Sequence, residues 1–161
     1  MHLTLIPSFA AIMYVWWTQH ALPAVVASHF DMQGRPDAFL ERSAYVTLMM
    51  ILMAALPLGA ALLGALFQKL PAQAINIPQR DYWLSEERRP ESLRYLSGWL
   101  QSLSLLVVAL LAFVHWLVLR ANQHVPAQLE STPMLIGMGV FLAGLAAWLL
   151  ALYRRFRQPA E

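Results

Sequence analysis

Histidine and carboxylate side chains are the groups best able to hold a metal or trade a proton near neutral pH. In this chain they concentrate in one short stretch, where His29, Phe30, Asp31, Gly34 and Asp37 follow Leu22-Pro23. An imidazole that charges as the pH falls can pair with Asp31 or Asp37 and act as a titrating sensor. Neutral imidazoles with a carboxylate suit a divalent transition metal, and two axial imidazoles can hold haem. His20, His115, His124 and Glu130 are the other groups that could join such a cluster. No pair of these histidines stands three or four residues apart, the spacing that turns two ligands onto one helix face. The plainer reading has His29 fix its loop through a backbone carbonyl and His115 bond across helices, and no metal or cofactor is assigned.

Other chemistry finds less support. The chain has no cysteine, which removes thiolate ligands, thiol nucleophiles and disulfides. It has no G-x-S-x-G, no H-E-x-x-H and no glycine-rich phosphate loop, and nothing pairs Asp31, Asp37 and Glu130 as acid and base. No enzymatic activity is expected. Coupled transport is also disfavoured, since no apolar run carries a charged residue at its middle.

The elements that must position these side chains are membrane helices. Of 161 residues, 59% are hydrophobic and 12% charged, too little polar material to coat a soluble globule. Four apolar runs, at 3–18, 45–67, 96–119 and 134–153, predict an all-α bundle of four transmembrane helices in a single membrane domain. The first run is short and has the position of a signal peptide. It lacks a basic n-region and ends in Trp16-Trp17, which favours a retained helix with aromatic anchors. The loop 19–44 then lies on one side and the loop 68–95 on the other.

Basic residues set the orientation. Lys69, Arg80, Arg88, Arg89, Arg94, Arg154, Arg155 and Arg157 share one side; Arg35, Arg42 and Arg120 share the other. The positive-inside rule places both termini in the cytoplasm and the His29 loop outside, as for a multi-pass protein of a bacterial cytoplasmic (inner) membrane. The pI of about 9.3 reflects anchoring to the lipid bilayer rather than to nucleic acid.

Small residues and isolated polar ones suggest how the helices meet. Ala55 with Gly59, and Ala60 with Gly64, allow close approach of a neighbour. Gly139, Ala143, Ala147 and Ala151 form a smooth stripe on the last run, expected to pack within the bundle or to form a homo-oligomer seam. Gln101, Ser104 and His115 fall within about 60° of one another on a helical wheel and should face the bundle. In the basic loop, Ser85-Glu86-Glu87 looks like a helix start, with Arg80, Arg88 and Arg89 nearby. Tyr82 and Trp83 are expected at headgroup level.

Leu22-Pro23, Val26, His29-Phe30, Gly34 and Pro36-Asp37, bracketed by apolar spans, resemble the bacterial membrane domain of unknown function 1648, the N-terminal unit of SdpI-type immunity proteins. Ile77 to Arg89 is similar to a segment of its stand-alone members. The resemblance implies a membrane binding or accessory protein that recognises a peptide, lipid or protein partner through the His29 loop, with His115 beneath it. Two alternatives are a metal- or haem-binding redox or sensor protein using the histidines, and a structural subunit of a membrane complex.

Overall fold

The computed structural model describes residues 2–157 and is mostly helical. Leucine, alanine and methionine dominate the apolar runs, and with no water in the bilayer core a helix satisfies their backbone groups within one segment. The runs become α1 (His2–Thr18), α2 (Arg42–Phe67), α4 (Arg89–Ala121) and α5 (Ser131–Arg157), with α3 (Arg80–Trp83) a single turn in the basic loop. Three of them, α2, α4 and α5, are long and apolar enough to cross a membrane, whereas α1 has 17 residues. Helices α1, α2 and α4 pack together, and α5 lies along α4.

Contacts between the helices show that α1 and α4 run one way and α2 and α5 the other. Thr18 and Tyr45 meet His115 at one end, while Arg155 meets Glu91 at the other. The three basic residues nearest the first end, and the eight nearest the second, are therefore segregated by the fold as the run spacing predicts. We call these the hairpin end and the arginine end.

The loop 19–44 departs from the all-α expectation. It forms an antiparallel hairpin, β1 (Val25–Phe30) and β2 (Pro36–Glu41), with Val25 opposite Glu41 and Phe30 opposite Pro36. Val25, Val26, Phe30 and Phe39 suit a pleated, half-buried strand, and the turn residues between the strands close it. At the tip, the Asp31 carboxylate accepts the backbone N–H groups of Gln33 and Arg35, at 2.9 and 2.8 Å. Gly34 sits at φ +76°, where a side chain is strained, and a Cβ there would collide with the Leu129 carbonyl. Val26 enters the apolar core shared by α1, α2 and α4, with Phe30 and Leu40 packed against it.

The hairpin is tied down by residues far along the chain. Asn122, just past α4, accepts the Ala27 N–H at 2.9 Å and donates to the Ala27 carbonyl at 3.0 Å, acting as a one-residue substitute for a third strand. The Leu129 N–H donates to the Gly34 carbonyl at 2.9 Å, and the Gln128 amide donates to the Gln33 carbonyl at 2.9 Å.

Two packing expectations are corrected. Gly139, Ala143, Ala147 and Ala151 are all exposed, so the stripe is not packed within the bundle, and only the Ala151 carbonyl, which accepts the Tyr95 hydroxyl at 3.3 Å, touches α4 among the contacts of the described residues. The face that does meet α4 carries Gly137, where the Phe113 ring occupies the space a Cβ would need, and Trp148. Trp148 stacks on Trp99 with ring centroids 3.5 Å apart, and each indole N–H donates to the other residue's backbone carbonyl, at 2.9 and 3.0 Å. These bulky aromatics decide which face turns inward. On α2, Ala60 and Gly64 face α4, where Ser97 donates to the Gly64 carbonyl at 3.1 Å, while Ala55 is exposed. Ser85 does not start a helix: α4 begins at Arg89, because Pro90 lacks an N–H and fits only a first turn.

Gly34→Ala is expected to cost about 1–3 kcal/mol through backbone strain. Asn122→Ala should be at least as damaging, since it strips both partners from the buried Ala27 backbone. Thermal unfolding of the detergent-solubilised variants, with hydrogen exchange over residues 25–41, measures both.

Candidate functional site

His115 is fully buried at the hairpin end, where α1, α2 and α4 converge. Its Nε2 lies 2.8 Å from Thr18 Oγ1 and its Nδ1 lies 3.1 Å from the Tyr45 hydroxyl. Thr18 Oγ1 also donates to the Tyr14 carbonyl at 2.7 Å. One assignment satisfies every group: Tyr45 donates to Nδ1, the neutral ring donates from Nε2 to Thr18, and Thr18 passes its proton to the Tyr14 carbonyl. The ring also stacks on Tyr45, centroids 5.7 Å apart, and takes an edge contact from Tyr14 at 5.4 Å. The three helices are thus joined at one depth by a directional chain of hydrogen bonds.

Above this lies the hairpin, whose polar residues divide by role. His29 and Asp37 face solvent and pair across the two strands, Nδ1 to Oδ1. This is the carboxylate pairing foreseen for His29, and the backbone carbonyl foreseen as the plainer partner is not used. Asp31 is committed to the turn and Gly34 to its tight geometry, while Phe30 packs inward. His124 approaches Glu130 at 3.9 Å, and Glu130 is held by Arg120 at 2.7 Å. The expected gathering of external histidines and carboxylates does not form. His115 is enclosed among hydroxyls below, and the described residues contain no group of three or more His, Cys, Asp or Glu able to hold a metal.

The polar stripe on α4 holds only in part. Ser104 and His115 are buried, but Ser104 donates to the Gln101 backbone carbonyl at 2.7 Å, and the Gln101 side chain lines a cavity further toward the arginine end.

At the arginine end Trp83 and Tyr82 pack against the rest of the chain. Trp83 is buried, donates its indole N–H to the Phe156 carbonyl at 3.1 Å, and meets the Phe156 ring edge-on. Arg155 covers the Trp83 ring at 4.2 Å and pairs with Glu91 at 2.8 Å. Tyr82 is half-buried and lies under Arg88 at 4.2 Å, while Arg89 donates to the Leu70 carbonyl and Arg80 pairs with Asp81. Ile75, Ile77 and Leu84 complete an apolar cluster there. Enough aliphatic surface lies in the loop to cover Trp83, which a lone amphipathic turn could not do. These residues close this end of the bundle.

Tyr14, Thr18, Tyr45 and Asn122 were not foreseen as site residues. A depth comparison had the signal: Thr18 ends one apolar run, Tyr45 begins the next, and His115 lies four residues before the end of the third.

The arrangement defines a small membrane protein in which a helix, a hairpin and a second helix are clasped by a third helix. Residues 8–55, from within α1 through the hairpin into α2, match the family model described as domain of unknown function (DUF1648). No curated protein and no solved structure matches the chain. The matched segment supplies Tyr14, Thr18, Gly34 and Tyr45, whereas His115, Asn122 and Leu129, which hold it, lie outside.

A double-mutant cycle between Tyr45→Phe and His115→Leu is expected to return a coupling of about 0.6–1.7 kcal/mol, the scale of interhelical hydrogen bonds in membranes. Denaturant unfolding in mixed micelles measures it, and strictly additive losses would mean the two side chains do not bond.

Proposed function

We propose that the chain is a non-enzymatic binding protein of the bacterial cytoplasmic membrane, crossing it four times with both termini inside. Its hairpin, on the outer side, takes up an extended peptide segment of a partner as an added strand. The observation that carries this reading is the free edge of β2. The sheet has two strands, β1 has its far side occupied by Asn122, and β2 is left with a row of backbone groups open to pairing.

The exposed side chains on β2 suggest what the segment looks like. Asp37, Phe39 and Glu41 alternate along one face and are all exposed. Main-chain bonds supply affinity in this mode and alternate side chains supply selection, so a strand alternating basic and apolar residues complements it. The His29–Asp37 pair borders the same edge.

The fourth crossing rests on α1. It lies along α2 and α4 and leaves Leu5, Ile6, Phe9, Met13, Trp16 and Trp17 uncovered, an apolar face that suits lipid. At about 26 Å it is near the span of the hydrocarbon core. The excess of basic residues at the opposite end from the hairpin gives the direction.

Since the chain is naturally free of cysteine, Met32→Cys in the hairpin tip and Glu86→Cys in the basic loop report its orientation directly. In intact cells an impermeant maleimide should label the first and not the second; labelling of both, or of the second alone, removes the proposed threading. For the partner, a photo-crosslinking residue in place of Phe39 should give a protein adduct of one defined mass. Asp37→Lys with Glu41→Lys should abolish that adduct, and its survival would rule out the β2 edge as the reading surface.

A further inference from the structure

Two adjoining cavities lie between α2 and α4. The one nearer the arginine end, about 390 Å³, is lined by Gly64, Arg94, Ser97, Gly98 and Gln101 among others. The next, about 330 Å³, shares Ala60 with it and runs on toward the middle of the helices between Gly59, Leu63, Leu100 and Leu103. The first is polar at its mouth and the second apolar.

Two groups in the polar part lack partners. Arg94 is exposed and takes no ion pair or hydrogen bond among the described residues, although Arg80, Arg120 and Arg155 each hold a carboxylate. The Gln101 Oε1 is buried without any hydrogen-bond partner. An orphaned amide beside a cavity is costly unless something enters to meet it, and the amide can turn to donate or accept. The space itself comes from small residues: a Cβ on Gly98 would touch nothing.

Depth identifies the visitor. Helix α4 has 33 residues, about 50 Å, against a hydrocarbon core of about 30 Å. Centring the apolar run 96–119 in that core puts Arg94 about 20 Å from the midplane, at the headgroup level, and Gln101 about 10 Å deeper, among the upper acyl chains just below the ester region. The walls of the groove are two membrane-crossing helices, so the molecules that reach it sideways are lipids.

We propose that this groove is a binding site for one anionic glycerophospholipid. Its phosphate pairs with Arg94, its glycerol-ester region meets the Gln101 amide, and one acyl chain lies along the Ala60 groove. A zwitterionic lipid brings its own cation to the phosphate and gains less from Arg94. The site is at the opposite end of the bundle from the hairpin and does not depend on what the hairpin binds.

Native mass spectrometry of the detergent-purified protein, incubated with phosphatidylglycerol or phosphatidylcholine, tests this. One phosphatidylglycerol should be retained at least fivefold better than phosphatidylcholine. Arg94→Gln should erase that preference, and Gly98→Leu should lower phosphatidylglycerol retention at least fivefold by filling the cavity with Arg94 intact. Arg154→Gln, an exposed arginine outside the groove, should retain lipid like the parent, and circular dichroism confirms that each variant is folded. Equal retention of the two lipids by the parent overturns the proposal, as does unchanged phosphatidylglycerol retention in folded Arg94→Gln or Gly98→Leu.

Discussion

An imidazole enclosed by helices has no water to hydrogen-bond with, so each ring nitrogen must find a partner in the protein or carry a cost of roughly 1–3 kcal/mol. His115 meets this constraint with Tyr45 from α2 on one nitrogen and Thr18 from α1 on the other. Apolar helices in lipid gain little from hiding apolar surface against one another, and specific packing and polar contacts must set their register. A single satisfied histidine supplies that here. Because the ring is planar and its two nitrogens point apart, the α1 and α2 ends are fixed relative to α4 in depth and in rotation.

The remaining contacts follow from that fixed corner. The start of β1 and the end of β2 emerge beside the ends of α1 and α2, so the hairpin must sit over the same junction, where Val26 closes the core. Asn122 and Leu129 then hold it from the far side of the chain. At the arginine end no comparable polar chain exists among the described residues, and the seal is aromatic and cationic, built from Trp83, Phe156 and Arg155. Helix α5 is attached by a different device again, the mutual stack and crossed indole bonds of Trp99 and Trp148. Its small-residue stripe remains on the outside.

Much of the helical scaffold was legible because hydrophobic run length is a direct physical requirement of the bilayer. The second, third and fourth runs became helices that start three, seven and three residues earlier, and the last two also end later, with Arg42, Arg89 and Arg157 at the added ends. The hairpin was legible only as a loop. Its strands have imperfect alternation, with register shifts around His29, and that blurs the period-two signal. The stripe on α5 misled because spacing identifies a smooth face without saying which neighbour it meets, and Trp148 and Gly137 on another face decided the matter. A carboxylate partner for His29, Asp31 or Asp37, was one of two readings the residues left open, and the strand pairing selects Asp37. Asn122 was invisible, since its role is to complete the edge of a strand more than ninety residues away.

The histidine junction also dictates an order of assembly on the ribosome. Thr18 and Tyr45 are synthesised long before His115, and the Asn122 and Leu129 tethers come later still. Until they are made, the matched segment has neither its histidine partner nor its hairpin tethers. The junction is complete only once α4 is in place. The side chain that joins the ends of α1 and α2 therefore lies outside the matched segment it holds.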